Sequence, residues 1–444
     1  MFKKLTKKIR FLALFLTAIL KKQYRMIFLG LFLGVVCYFT VPLALKYFSG
    51  SKKILKIGLV GQYEVSELPS EILRDISFGL TSVSPKGEAQ PALAASWQVK
   101  DENKTYIFRL KDEDFYWHDG QKLQPADINY NFKDVKLTVN GNELIFNLRE
   151  PFSPFPVVLS KPLFKKGLIG LGPYKVQKIE RRGNYVKSIL LVPAWDKSLP
   201  KKLYRFYNTD KDLKLGFNLG EVDILEDLLD IQGIALGPVV KVEKKPLLNA
   251  YIAVFFNTAK PPFTDKSFRQ ALAYAIPKDE TNRALGPISP TNWAYNPAVK
   301  PYTLDLAHAK SLLKGQEGLK DLNLKILTFP QFESIANLVH NSWQQIGIES
   351  QVQITTFIPE DYDVLILARE TPDDPDQYAF WHSTQSGNLS NFKSLRIDKL
   401  LEDGRTLLDK EARKDNYFDF QRFLVEESPA VFLSHPEVYT VIRN

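Results

Sequence analysis

One cysteine in 444 residues, Cys37, leaves no partner for an internal disulfide and no thiolates for a metal cluster. Histidines are almost as sparse. His118, His308, His340, His382 and His435 are scattered, and none has another two to four residues away, so a helical zinc motif is absent. No G-x-S-x-G nucleophile elbow occurs, and no serine or cysteine stands in a recognisable arrangement with a histidine. The glycine-rich GLIGLGP at 167–173 lacks the Lys-Ser/Thr pair and the following helix that a phosphate loop needs. A β-rich run follows Pro173-Tyr174 instead, so the segment reads as a tight turn.

Acids are missing altogether from residues 1–53, which hold eleven Lys/Arg. The remainder carries 48 basic and 50 acidic residues, so the formal net charge of +9 belongs to the N-terminus. A nucleic-acid partner is therefore not expected. Residues 26–45 (MIFLGLFLGVVCYFTVPLAL) contain no charge and are long enough to cross a bilayer as a helix. Eight Lys/Arg precede the run, which places the N-terminus in the cytoplasm. The expectation is a basic cytoplasmic segment over 1–25 and a transmembrane helix over 26–48, with the rest outside the cell membrane. A cleaved signal peptide is the competing reading, although no small-x-small site followed by a polar start stands out. Cys37 sits within the run and reads as an apolar cysteine.

From residue 54 the pattern is mixed α/β. Residues 91–132 pack a small-plus-aromatic segment, the alternating strand TYIFRL at 105–110, the turn dipeptide Asp119-Gly120 and a predicted helical run over 126–132. YIAVFFN at 251–257 is apolar enough for a central strand. Helices and strands alternate beyond it, with Thr264 or Asp265 able to cap the first helix. The loop PDDPDQ at 372–377, followed by Tyr378, Phe380 and Trp381, is the most suggestive chemistry. Carboxylates beside aromatic rings can hold a ligand ammonium while the rings cover its apolar part. The same residues also fit a solvated surface turn.

The segment LAASWQVKDENKTYIFRLKDEDFYWHDGQKLQPADINYNF resembles the signature region of the family 5 extracellular solute-binding proteins, the peptide-, dipeptide- and nickel-binding receptors of ABC importers. IGLGPYKV, LGEVDIL, FNTAKPPFTDKSFRQALAYAI, DLAHAKSLL, DPDQYAFWHS and RKDNYFDFQRFLVEESPAVFLSH follow in the family's order. The resemblance covers nearly all of 54–444. It implies an α/β fold, a two-lobed periplasmic-binding-protein-like clamp with class II-like mixed sheets. The first lobe is expected at 54–258, with 430–444 returning to it, and the second at 259–429. It also implies a binding protein with no catalytic role, and with the histidines scattered and one cysteine no cofactor and no metal are expected. Such a protein would be a monomer that takes a peptide or small polar solute and docks on permease and ATPase subunits.

By the same resemblance Asp374 would hold a ligand cation, with Asp373 and Asp376 beside it. Trp381 and Tyr378 would be apolar walls, and Trp293, Asn388 and Tyr63 further contacts. Two departures stand out. Gln124 replaces the usual Ser/Thr cap, and only about forty residues lie where the family carries a sizeable extra domain. Two other functions remain open from sequence alone. One is a scaffold or sensor that reuses the clamp; the other is an exported hydrolase.

Overall fold

Strand Ala250–Phe256 (AYIAVFF) is buried at every position, as a run without charge must be when both faces of its sheet are covered. A computed structural model describes residues 30, 32–36, 38–40, 54–316, 318–319 and 322–443. In it this strand lies fourth in a five-stranded sheet ordered 349–354, 323–328, 364–370, 250–256, 430–434. The pairing is mixed. Asn323–Thr328 runs parallel to both of its neighbours, while Ala250–Phe256 runs antiparallel to both of its own. Helix Lys266–Ala275 is capped by Asp265, whose carboxylate accepts from Phe268 N at 2.8 Å. Its apolar face meets helix Glu333–Gln344 through Trp343, which donates to the Leu272 carbonyl at 3.2 Å.

A second, seven-stranded sheet has the order 240–246, 437–443, 224–228, 54–60, 201–207, 185–193, 174–182. A four-stranded antiparallel sheet, 94–100, 105–110, 143–148, 135–140, stands beside it over its own aromatic core of Tyr106, Phe108, Trp117, Phe146 and Phe155. The helical run expected over 126–132 is a single 3₁₀ turn, Pro125–Asp127. Asn131 has φ +55°, which a continuing helix does not allow. Asp127 turns its carboxylate back to Gln124 N at 2.9 Å, which closes the turn without a Ser/Thr cap.

The glycine-rich turn at 167–173 is a packing junction. A Cβ on Gly170 would stand 2.2 Å from the Ile76 carbonyl. His118, from the Asp119-Gly120 hairpin, donates Nε2–H to the Gly172 carbonyl at 3.0 Å and accepts from Gly170 N at 3.3 Å. Two sequence motifs fifty residues apart are thereby one structural joint.

The chain passes between the large sheets at 247–249 and again at 435–436. Ala250–Phe256 and Ala430–Ser434 both belong to the five-stranded sheet, and only Glu437–Arg443 rejoins the seven-stranded one. The passages lie close to the ends of the expected lobes at 258 and 430, and the strands on either side of each belong to different sheets. The two passages are tied together, since Leu247 N donates to Pro436 O at 2.8 Å and His435 Nδ1 donates to Ala250 O at 2.7 Å. Of the N-terminal segment, residues 30, 32–36 and 38–40 are helical with exposed side chains. The rest of the expected span at 26–48 lies outside the described residues. Among the described residues no helix is long and apolar enough to cross a membrane.

Candidate ligand-binding site

The loop at 371–377 leaves strand Val364–Glu370 and is held where it starts, because Thr371 N donates to the Asn249 carbonyl at 2.7 Å. Asp374 is only 7% exposed. Both of its carboxylate oxygens are taken by Arg413, at 2.6 and 2.9 Å. Arg413 also donates Nε–H to the Gly404 carbonyl at 2.7 Å and reaches the Tyr417 hydroxyl at 3.4 Å. Burial alone would weaken the Arg413 charge, but the Asp374 carboxylate overrides it and raises the pKa above the usual guanidinium range. A bidentate pair with this geometry is among the strongest side-chain contacts, and its members have little capacity left for a third party. The carboxylate expected to hold a ligand cation is thus paired within the chain in this structure.

Asp376 repeats the pattern. It accepts from Arg405 Nε at 2.8 Å and from Tyr378 N at 3.0 Å. Burial nevertheless pushes its carboxyl above the ordinary range against the pull of Arg405. Arg405 is sandwiched, 4.0 Å from the Tyr378 ring centroid and 5.3 Å from that of Phe152. Tyr378 in turn stacks on His382 at 4.1 Å. Trp293 lies half-buried beside Arg413 and Lys410, each 5.7 Å from its ring. The fold thus gathers Asp374, Asp376, Tyr378 and Trp293 around two arginines that sequence reasoning passed over. A loop with three carboxylates next to apolar rings needs cations if it is to be buried, and Arg405 and Arg413 were the nearby signal.

The other expected contacts lie elsewhere. Trp381, expected as a ligand wall, is 1% exposed and packs in the core against Phe255 and Phe432 at 6.0 Å each. Asn388 is buried and clamps its own loop, donating to the Phe392 carbonyl at 2.8 Å. Tyr63 sits by the seven-stranded sheet, edge-on to Phe206 at 5.3 Å, with its hydroxyl on the Val60 carbonyl.

Asp373 differs from its neighbours. Its side chain is 52% exposed and meets Arg74 through one 3.4 Å contact. It borders a cavity of about 450 Å³, also lined by Arg74, Phe78, Ser82, Ser84 and Ser160. Arg74 to Ser160 of this lining come from the chain before the five-stranded sheet begins, and Asp373 from the loop that follows strand Val364–Glu370 of that sheet. The surrounding seam is closed by direct bonds. Asn292 Nδ2 donates to the Asp373 carbonyl at 2.8 Å, Trp293 N to the Lys86 carbonyl at 3.1 Å, and Lys410 pairs with Glu88. Gly87 allows the approach. It has φ +81°, and a Cβ there would stand 2.1 Å from the Asp373 carbonyl. Farther along, Ser153 N donates to the Arg405 carbonyl at 2.7 Å. Among the described residues no three His, Cys, Asp or Glu side chains gather as a metal site.

Comparison with known proteins is consistent across sequence and structure. The E. coli dipeptide-binding protein is 24% identical, with 86% of each chain covered. That alignment runs over 478 positions, so the relative has segments without a counterpart in this 444-residue chain. The ABC transporter substrate binding protein CtaP from Listeria monocytogenes superposes with a TM-score of 0.74 at 21% identity, covering 88% of this chain and 94% of that one. NikZ from Campylobacter jejuni, solved in complex with Ni(L-His), gives 0.73 at 22% identity, with the same coverages. The fold is the two-lobed α/β solute-binding architecture with mixed sheets. The model for bacterial extracellular solute-binding proteins, family 5 Middle, matches residues 88–391. The chain belongs to the bacterial extracellular solute-binding proteins of family 5.

Proposed function

We propose that the chain is the substrate-binding protein of an ABC importer, anchored in the cell membrane by its N-terminal helix with the lobes outside. The ligand we propose is a peptide or a similar small polar solute, held in the seam between the lobes. A ligand touching both sides stabilises the closed arrangement by its differential affinity for it, and the closed form is what permease and ATPase subunits would recognise. The observation that carries this reading is the cavity beside Asp373. It offers an exposed carboxylate and an exposed guanidinium on opposite sides, loosely paired and flanked by hydroxyls. Such a pair suits a zwitterion, whose ammonium would replace Arg74 on Asp373 while its carboxylate takes Arg74. Asp373 therefore takes the role first expected of Asp374.

A second reading, a sensor or scaffold without a transported ligand, is favoured by one feature: the seam is already closed by bonds within the chain. Native mass spectrometry of the purified protein separates the two. A retained solute, or a thermal shift with members of a peptide library, supports the receptor. A bare mass and no shift across the library supports the scaffold.

A further inference from the structure

A cavity of about 600 Å³ opens beside helix Ser70–Ile76, within the size range of small-molecule sites. All of its lining comes from the chain before the five-stranded sheet begins, and it shares no residue with the cavity beside Asp373. Leu73 and Arg74 are neighbours on the helix, yet one lines this cavity and the other the seam. Much of the lining is apolar. Val65, Leu73, Phe164 and Leu168 pack against the core of the seven-stranded sheet and stay only partly buried.

The charged lining is Lys161, Arg181 and Glu64. None of these three side chains has an ion-pair or hydrogen-bond partner among the described residues. Lys165, close by in the chain, is by contrast paired with Asp119 at 3.2 Å. Arg181 arrives on the hairpin of strands Tyr174–Arg182 and Tyr185–Pro193. The two-residue loop of that hairpin starts with Gly183 at φ +64°, which glycine adopts without strain. The register shifts between Glu180 and Arg181, and such a bulge re-aims a side chain. Two cations against one carboxylate leave the cavity with a formal charge of +1, which one monovalent anion balances. An apolar wall beside unspent cations suits a ligand that is apolar along its length and anionic at one end.

We infer that this cavity binds a monocarboxylate with an apolar chain, of the medium-chain fatty-acid class. The chain lies against Val65, Leu73, Phe164 and Leu168, and the carboxylate meets Lys161 and Arg181. Ion contacts to exposed cations are weak, so burial of the chain supplies most of the affinity. The site is separate from the seam cavity and does not depend on the transport reading.

The test is calorimetric titration of the full chain in detergent with hexanoate, octanoate and decanoate, repeated on the double variant Lys161→Gln with Arg181→Gln. Both replaced side chains are exposed, so the variant should keep the fold. Partition into detergent is shared by parent and variant, whereas a site saturates. Affinity for the parent should rise about fourfold with each added methylene, as burial of the chain requires. Octanoate should bind the double variant about tenfold more weakly, the worth of two exposed ion contacts. 1-Octylamine, with the same chain and the opposite charge, should bind the parent more weakly than octanoate does. In crystals, an anomalous peak from 8-bromooctanoate beside Leu168 would place the chain. Heats that never saturate, an affinity indifferent to chain length, or equal binding by the double variant would overturn the inference. So would a bromine peak in the seam cavity beside Asp373.

Discussion

Asp373 and Asp374 are adjacent in the chain and opposite in environment. One is half-exposed, faces the seam cavity and shares a single long contact with Arg74. The other is sealed in a two-point pair with Arg413. The difference shows that a carboxylate's role depends on what else the fold aims at it. A residue whose lone pairs are all spent inside the chain holds the structure, and one with capacity to spare can hold something else. Gly87 bears on the contrast, because its backbone packs directly on the carbonyl of Asp373.

Breaking the sealed pair should have the largest effect. Asp374→Ala leaves Arg413 buried and uncompensated, and about 3–5 kcal/mol of stability should be lost in urea unfolding. Replacing both residues, as Asp374→Leu with Arg413→Met, should recover much of that loss, since an apolar pair carries no uncompensated charge. Equal losses in the single and double variants would mean that the pair is not the source.

Gly87→Ala comes next. Its positive φ costs roughly 1 kcal/mol for an alanine, and the added carbon collides with the Asp373 carbonyl. The turn at 84–88 should lift from the loop, seen as faster amide exchange at Lys86 and Trp293. Unchanged exchange would show that the seam tolerates the carbon.

Asp376 gives a smaller, pH-dependent effect. Burial raises its carboxyl in the folded chain above its unfolded value of about 3.9. Between those two values the folded state keeps a proton that the unfolded state has released, so stability falls as pH rises through the window and the cost is complete at neutrality. Asp376→Asn removes that cost and still offers Arg405 an oxygen. The variant should equal or exceed the parent at pH 7, with its advantage shrinking toward pH 4. A clear loss at pH 7 would mean that the Arg405 contact outweighs burial. The smallest stability effect is expected from Asp373→Asn, within about 0.5 kcal/mol of the parent, as for other exposed pairs. Its consequence should appear in the affinity for a solute bearing a free amine.

Much of the fold was legible because it rests on local chemistry. The apolar run at 251–257, the Asp265 cap and the turn at Asp119-Gly120 all stand where their residue types put them. The run at 126–132 was misjudged because the pattern carries no sign that the chain turns out of helix at Asn131. The site was less legible. The motif around 374–376 marks an acidic loop, but whether a carboxylate is free is decided by side chains some thirty to forty residues downstream, Arg405 and Arg413. Trp381 could be read as a ligand wall only until the sheet beneath it was known to offer Phe255 and Phe432.

In the proposed receptor Asp373 faces the ligand, while Asp374 stays paired with Arg413. The most direct measurement is a crystal structure of the natively purified protein carrying its retained solute. Solute density is expected between Arg74 and Asp373, with both Asp374–Arg413 bonds intact. Solute nitrogen on Asp374, with Arg413 displaced, would contradict it.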